Sequence, residues 1–395
     1  MKKTASLLLA LALLFSLAAC AGRTAPAQPE PASEPETSGG PADAQEHEEP
    51  VEQPEQPEEQ TQTEPEGEAA PETMTITDDC GRTVEIPGEI SRIVPTGGLA
   101  QIALFALAPD LFVGLANEWS DAAGPYIDSV YHDLPVIGTL YGSADLNLEE
   151  LAVTDPQLII DLGEAKKTIV EDMDTMQEQT SIPSIHIEAS LSTMADAYRK
   201  LGTILGREEK AEELAAFCEK VYARTVDIAR KAGDGKVSAL YIVGSEGLNV
   251  IANGSFHAEV IDLLTDNAAV VDNPAGKGTG NEVTMEQIAL WDPDFILFGP
   301  ESIYEDVAGR ETWKDMKAIA SGNYVEIPYG PDNWMGMPPS VQRYLGMIWL
   351  TSVLYPDLCD YDVKAEITEA YRLFYGCELS DGQYAELTKN AFPAG

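Results

Sequence analysis

Histidine and cysteine, the side chains that many metal and nucleophilic sites use, are scarce in this chain of 395 residues. There are four histidines and five cysteines, and no two cysteines have the C-x-x-C spacing. The motifs G-x-S-x-G and H-E-x-x-H are absent, and the glycine-rich residues 276–280 lack the spacing of a Walker phosphate loop. We therefore expect no zinc or iron–sulfur site, no catalytic residues, no bound nucleotide and no cofactor.

Positive charge is scarce as well. The chain has 24 Lys and Arg residues against 67 Asp and Glu residues, a formal net charge of -43. This balance argues against a nucleic-acid partner, because phosphate backbones are bound by basic surfaces. It does not exclude an anionic small ligand, because the local field of a pocket can oppose the net charge.

The apolar run at the N-terminus, residues 5–19, is too short to span a bilayer as a stable helix. It follows two lysines and ends immediately before Cys20. This pattern resembles the bacterial lipoprotein signal, in which the cysteine receives a diacylglycerol and becomes the new N-terminus. An ordinary secretory signal with a chance cysteine is the alternative. The resemblance implies that residues 1–20 are a lipoprotein signal peptide and that Cys20 tethers the chain outside the cytoplasm, at the outer face of the cell membrane.

Residues 21–72 form a separate compositional class. Pro, Glu, Gln, Ala and Thr dominate, and aromatic residues are absent. Such a segment cannot bury enough apolar surface to offset the entropy lost on ordering. We predict a disordered Pro/Glu-rich spacer that lifts the folded part off the lipid surface.

Four cysteines remain in the folded part: Cys80, Cys218, Cys359 and Cys377. Cys218 stands in a helical pattern, which predicts a small buried core residue. Cys359 and Cys377 are close enough in sequence for a disulfide in an oxidising compartment. The sequence does not show their geometry, so this bond is left open.

Strand and helix patterns alternate from residue 75 onward. A hairpin pattern at 75–87 is followed by a buried strand at 92–96, a Gly-Gly turn and a helical stretch at 99–107. Strand, glycine turn and helix make up the α/β unit, which recurs along the chain.

One long helix is predicted in the middle of the chain. Residues 208–232 contain no Gly or Pro and many Glu, Lys, Arg and Ala residues, which favours a single helix of about 40 Å. A helix in this place suits a rigid connector between two α/β halves. The predicted organisation is a lobe at 73–206, an interdomain helix at 207–232 and a lobe at 233–395.

Residues 147–160 and 284–297 align without a gap and form an internal repeat. Both copies predict a short helix, an Asp-Pro turn and a buried strand. Glu149 in the first copy matches Glu286 in the second.

Capping predicts where each repeat helix begins. Asn147 with Glu150, and Thr284 with Gln287, have the spacing of a capping box. The matched glutamates then fall in the first turn, where the helix dipole stabilises a carboxylate by about 0.3–1 kcal/mol. This local effect is one explanation of the two glutamates. The other is that each lobe presents a carboxylate at a matched corner of its surface.

The repeat, the single mid-chain helix and the lipoprotein-like start together resemble the ABC-transporter substrate-binding proteins for cobalamin, haem and iron–siderophores. The resemblance covers the chain from about Thr75 to its end. It implies an α/β, two-lobed substrate-binding protein with a single long interdomain helix, of the chelatase-like type. It further implies capture of a metal chelate and delivery to an ABC transporter permease dimer with its ATPase. On this resemblance, Glu149 and Glu286 meet arginines of the permease.

The ligand of a two-lobed α/β protein is expected between the lobes, at strand ends and helix starts. The candidate ligand-binding residues are Gly97, Trp119, Tyr141, His257, Lys277, Trp334 and Arg343. The three large aromatic side chains would stack on a flat chelate, with core packing as the alternative for each. His257 or Tyr141 would ligate haem iron or corrinoid cobalt, although His257 also fits a helix start satisfied by backbone. Lys277 and Arg343 would oppose a chelate's negative charge, or be surface cations.

Two other classes of function stay open on the sequence alone. Similar two-lobed folds occur in metal chelatases and nitrogenase-like reductases, so a chelate-handling enzyme is one alternative. An extracellular sensor or adhesin is the other. The missing catalytic motifs and the predicted anchor and spacer favour capture and delivery over turnover.

Overall fold

The structure is a computed structural model that describes residues 72–139 and 146–393. The predicted signal peptide, Cys20 and the spacer up to residue 71 lie outside the described residues, and so does Tyr141. Within the described ranges, no helix combines the length and the apolar composition of a membrane span.

The first lobe begins with an antiparallel hairpin of β1 (Thr73–Thr77) and β2 (Thr83–Pro87). A parallel sheet follows, with β3 (Ile93–Pro95), β4 (Leu158–Gly163) and β5 (Ser184–Glu188) in that order. β4 is buried over its whole length, as expected where both faces of a parallel sheet are covered. The helices of this lobe are α1 (Gly98–Leu107), α2 (Leu148–Thr154), α3 (Ile169–Thr180) and α4 (Met194–Leu205).

The predicted long helix is present as α5 (Glu208–Ala232), and it ends at Gly233. Its sequence is rich in strong helix formers, and two acidic residues in its first turn and two basic residues in its last turn complement the helix dipole.

The strands of the second lobe are β6 (Ser238–Val243), β7 (Asn249–Val250), β8 (Asp266–Asn267), β9 (Asn281–Glu282), β10 (Phe295–Phe298) and β11 (Tyr324–Glu326). They form one sheet in the order β11-β10-β6-β7-β9, and β8 also pairs with β6. β10 is parallel to both β6 and β11. The helices are α6 (Glu259–Leu264), α7 (Met285–Trp291), α8 (Lys317–Ala320), α9 (Arg343–Leu354), α10 (Val363–Tyr375) and α11 (Asp381–Leu387).

The long helix joins the two lobes through packing as well as through the chain. α5 packs against α1 and α4 of the first lobe and against α6 and α9 of the second. One apolar cluster accordingly contains Leu104 of α1, Val221 of α5 and Leu345 of α9, all fully buried. The expected α/β fold of two lobes and a single long helix is confirmed.

Two local expectations are settled by the structure. Cys359 and Cys377 are both free, so they form no disulfide here, whereas Cys218 is buried in the core as predicted.

Candidate ligand cleft and docking surfaces

A cavity of about 580 Å³ opens at the carboxyl ends of β6 and β10. Because these strands are parallel neighbours, Gly244 and Gly299 follow them at the same edge of the sheet. Ser245, Asn249 and Thr279 add neutral polar side chains to the lining. Ligands of α/β sheets bind at this edge, in pockets of roughly 300–1,000 Å³. We call this space the strand-end cavity.

Asn333 is fixed in the wall of the strand-end cavity by a buried network. Its Nδ2 donates to Tyr241 Oη at 3.1 Å, and its Oδ1 accepts from the Met335 backbone N–H at 2.8 Å. Tyr241 Oη in turn donates to Met337 Sδ at 2.9 Å. Burial raises the pKa of the Tyr241 phenol above its usual value, so the phenol remains a neutral donor. This part of the wall is therefore uncharged and held in one arrangement.

The two lobes meet where α1 begins. A Cβ added at Gly98 would lie 3.1 Å from Pro338 Cγ, so the two chain segments approach closely. Gly97, a predicted ligand residue, immediately precedes this contact and has open space around it. Since Met337 lines the strand-end cavity and adjoins Pro338, Gly97 lies near the border of that cavity.

His257 occupies a turn that precedes α6, because the helix begins at Glu259 and not at His257. Its Nδ1 donates to the Gly336 carbonyl at 3.1 Å. A Cβ on Gly278 would lie 3.4 Å from the imidazole, which places His257 beneath the loop of residues 276–280. Burial lowers the pKa of His257, so the imidazole is neutral at pH 7. His257 is therefore bonded to a backbone carbonyl, which is the alternative to its role as a ligand of haem iron or corrinoid cobalt.

The two predicted cations differ in their surroundings. Lys277 is exposed on the loop that also supplies Thr279 to the strand-end cavity, and it has no ion-pair partner within residues 72–139 and 146–393. Arg343 is 0 % exposed, forms an ion pair with Glu259, and lies 4.9 Å from the centre of the Phe256 ring. The expectation that Arg343 is a surface cation is corrected, because its charge is buried and already paired.

The described aromatic candidates are anchored in packing. Trp334 is 0 % exposed, donates from Nε1 to Tyr371 Oη at 3.3 Å, and packs on Trp349 with ring centres 6.5 Å apart. It presents no surface for stacking on a ligand, so the core-packing alternative describes it. Trp119 is half-buried and packs edge-on against Phe105, with ring centres 5.1 Å apart.

A second cavity, of about 530 Å³, lies between the lobes. Its lining includes the carboxylates of Glu164, Glu188, Glu259 and Asp262. Asp262 accepts from the Gly254 N–H at 2.8 Å, and Glu259 is held in the ion pair described above, so these two acids have structural partners. This cavity lies where the sequence analysis expects the ligand, between the lobes, but its acidic side chains were not singled out, because they come from separate segments that share no motif.

Both helices of the internal repeat begin at the predicted caps. The Glu150 N–H donates to Asn147 Oδ1 at 3.1 Å in α2. The Gln287 N–H donates to Thr284 Oγ1 at 3.2 Å in α7. Asn147 and Thr284 are therefore confirmed as N-caps, each through its side-chain bond to the third residue of the helix.

Both helices also end in the same way. Asp155 and Asp292 adopt left-handed backbone conformations, with φ of 46° and 36°. The following proline disfavours the right-handed helical conformation for each aspartate. Arg92 Nε donates to the Asp155 carbonyl at 2.6 Å, and the Lys317 N–H donates to Asp292 Oδ1 at 3.2 Å. Contacts outside the repeat thus fix the end of each helix.

The exposed sides of α2 and α7, which carry Glu149 and Glu286, are called here the repeat faces. Both glutamates are exposed, and neither forms a hydrogen bond or ion pair with the described part of the chain. Leu151 and Ile288, at matched positions, are buried on the opposite side of each helix. Each lobe therefore presents, at a corresponding position, a carboxylate with no partner in the described part of the chain.

Residues 121–329 match the model of a protein family described as periplasmic binding protein. No curated protein matches the chain.

The chain is similar to solved structures over most of its length. An ABC transporter solute binding protein from Sulfurospirillum deleyianum shows 25% identity and a TM-score of 0.72, over 80% of this chain and 99% of that one. A periplasmic solute binding protein from Veillonella parvula shows 23% identity and a TM-score of 0.63, over 81% and 98% of the two chains. The molybdate-binding MolA of Haemophilus influenzae shares the fold at 18% identity and a TM-score of 0.62, over 78% and 99%. Together with the family match, these likenesses identify the chain as a member of the periplasmic binding protein family, the ligand-capturing components of ABC importers.

Proposed function

We propose that this chain captures a metal chelate and delivers it to the permease dimer of an ABC importer, with Glu149 and Glu286 as docking residues. The observation that carries the docking proposal is the pair of repeat faces. Two lobes with different surroundings each hold an exposed carboxylate without a partner in the described chain, at the same position of the same capped helix. Helix capping alone explains the helix starts, but it gives no reason for the motif to recur in both lobes.

The proposed ligand is an iron–siderophore, with haem and a corrinoid as the other chelates. The strand-end cavity supports a ligand with neutral oxygen and apolar groups, because Ser245, Asn249, Thr279 and Met337 line it beside the carboxylate of Glu301. Lys277 supplies a cation on the loop that forms one side. Gly97, Trp119 and Tyr141 are kept in the proposed ligand set as first-lobe residues. Because Arg343 is paired with Glu259, Lys277 is the stronger candidate to oppose ligand charge.

The anchor is proposed on the N-terminal pattern. Cys20 carries the lipid, residues 21–72 act as a spacer, and residues 73–206 and 233–395 form the lobes on either side of the helix at 207–232. The chain then works at the outer face of the cell membrane. We further propose that it is not an enzyme, which its membership of a family of binding proteins supports.

A fluorescence-quench titration tests the ligand proposal. Purified protein is titrated with ferric siderophores, haem and cobalamin. Two variants are titrated in the same way. Thr279→Trp fills the strand-end cavity, and the control Thr203→Trp adds the same side chain to an exposed position of α4. We expect micromolar or tighter binding of one chelate and at least about tenfold weaker binding by Thr279→Trp only. Absence of binding to all three classes, or equal binding by both variants, contradicts the proposal.

A further inference from the structure

Each repeat face carries an exposed aliphatic side chain beside its glutamate. Val153 is 79% exposed and Leu290 is 77% exposed. They occupy the same position of the repeat, four residues after Glu149 and Glu286 respectively. Residues four apart on a helix lie on one side, so each repeat face pairs a carboxylate with an apolar group one turn away.

The fold does not require these two side chains to be apolar. Leu151 and Ile288 already supply the buried contact of each short helix with its lobe. A single exposed aliphatic residue is ordinary in a soluble protein. Here the same exposure and chemistry recur at matched positions of two lobes. Ala152 and Ala289, also exposed, leave room for close approach beside them.

We propose that Val153 and Leu290 are apolar anchors that bury themselves in the ABC permease dimer when the repeat faces dock. This inference rests on the proposed function. The occupant is a membrane protein with two equivalent subunits, because two matched faces fit two matched recesses. Each recess would be apolar and lie next to a cation, since each aliphatic side chain lies one turn from a carboxylate that has no partner among residues 72–139 and 146–393.

The two kinds of residue would act on different rate constants. A rim carboxylate steers association and makes it sensitive to salt. An aliphatic side chain that leaves water on binding holds the complex together, so its loss increases the dissociation rate. The glutamates and the aliphatic anchors are therefore separable by kinetics.

The test compares Val153→Gln/Leu290→Gln with Val130→Gln/Val270→Gln. The control pair removes two aliphatic side chains that are 60% and 70% exposed and have no counterpart in the repeat. Binding to the permease–ATPase complex encoded in the same operon, reconstituted in nanodiscs, is measured by interferometry at low and high salt. We expect dissociation of the Val153/Leu290 variant to be faster by about tenfold or more, with the salt dependence of association retained. Ligand titration and the melting temperature should match the parent.

Several outcomes would overturn the proposal. If the Val153/Leu290 variant dissociates at the parental rate, or no faster than the control pair, the anchor role is contradicted. Docking through the glutamates would be unaffected by that result. If the parent binds empty nanodiscs and the Val153/Leu290 variant does not, the surface binds lipid. If the parent self-associates and the variant does not, the surface binds a second copy of this chain. If the parent does not bind the permease complex at all, the proposed function fails together with this inference.

Discussion

Arg343 and Glu259 form an ion pair whose two members have unequal access to water. The Arg343 side chain is 0 % exposed, whereas that of Glu259 is 27% exposed. Arg343 also donates from Nε to the Ser340 carbonyl at 3.2 Å, so it ties α9 to the loop before it. Removing Glu259 therefore leaves a buried positive charge, whereas removing Arg343 leaves a negative charge that solvent reaches.

The ion pair predicts an asymmetric effect on stability. Glu259→Ala strands a guanidinium in the interior and should lower the free energy of unfolding by about 3–5 kcal/mol. Arg343→Met fills much of the same space and leaves a carboxylate that water reaches, so it should cost about 1–2 kcal/mol. Urea unfolding at pH 7 measures both. A larger loss for Arg343→Met than for Glu259→Ala would contradict the pairing described.

Asp332 predicts a pH dependence of stability. Burial raises the pKa of its carboxyl to about 7, and its Oδ2 has no hydrogen-bond partner within the described ranges. In the unfolded chain the pKa of this carboxyl is about 3.9. Ionisation therefore destabilises the folded state progressively as the pH rises from about 4 to about 7. Asp332→Asn should therefore stabilise the protein by about 1–2 kcal/mol at pH 8 and by little at pH 4. The gain at pH 8 is smaller than the full effect of the pKa shift, because solvent screens part of that effect.

Chemical unfolding of Asp332→Asn across this pH range checks the prediction, beside Asp360→Asn at an exposed site. The gain in stability should grow with pH for the first variant only. An equal gain at pH 4 and pH 8 would show that the carboxyl of Asp332 does not titrate in this window.

The predicted anchor is tested by fractionation. Cys20→Ala removes the lipid acceptor, so the protein should move from the membrane fraction to the soluble extracytoplasmic fraction. Ser16→Ala, within the same apolar run, should remain with the membranes. Metabolic labelling with a fatty acid should follow the same pattern. Equal membrane retention and labelling of Cys20→Ala would remove the lipoprotein assignment.

The sequence predicted those features that depend on local patterns. The bounds of α5 and the caps at Asn147 and Thr284 follow from helix propensity and from side-chain to backbone hydrogen bonds within three residues. Trp334 and Arg343 were harder to predict, because their burial depends on distant partners. Trp334 bonds to Tyr371, 37 residues away, and Arg343 pairs with a carboxylate 84 residues away.

The sequence predicted the position of a candidate ligand cavity only in outline. The rule that ligands bind at strand ends leads to the cavity beside β6 and β10. Tyr241 and Asn333, which order its wall, were not singled out, because a strand tyrosine and a loop asparagine carry no signal of their mutual hydrogen bond. A cleft between the lobes was expected, but the acidic residues that line it were not singled out for the same reason: they meet only in the folded chain.

Under the proposed function, Glu149 and Glu286 dock this protein onto a permease. The matched control for Glu149→Ala/Glu286→Ala is Glu178→Ala/Glu305→Ala, which removes one exposed carboxylate from each lobe outside the repeat. Neither pair should change ligand affinity, because all four side chains lie outside the cavity linings described. The docking variant should lose about 1 kcal/mol of stability or less through the helix dipole.

The most direct measurement is uptake of the identified ligand by cells that carry each variant in place of the parent. Glu149→Ala/Glu286→Ala should reduce uptake by about tenfold or more, because the permease loses charged partners in both lobes, while Glu178→Ala/Glu305→Ala should transport as the parent does. Parental uptake by Glu149→Ala/Glu286→Ala would contradict the docking role and leave the two glutamates as first-turn residues of capped helices.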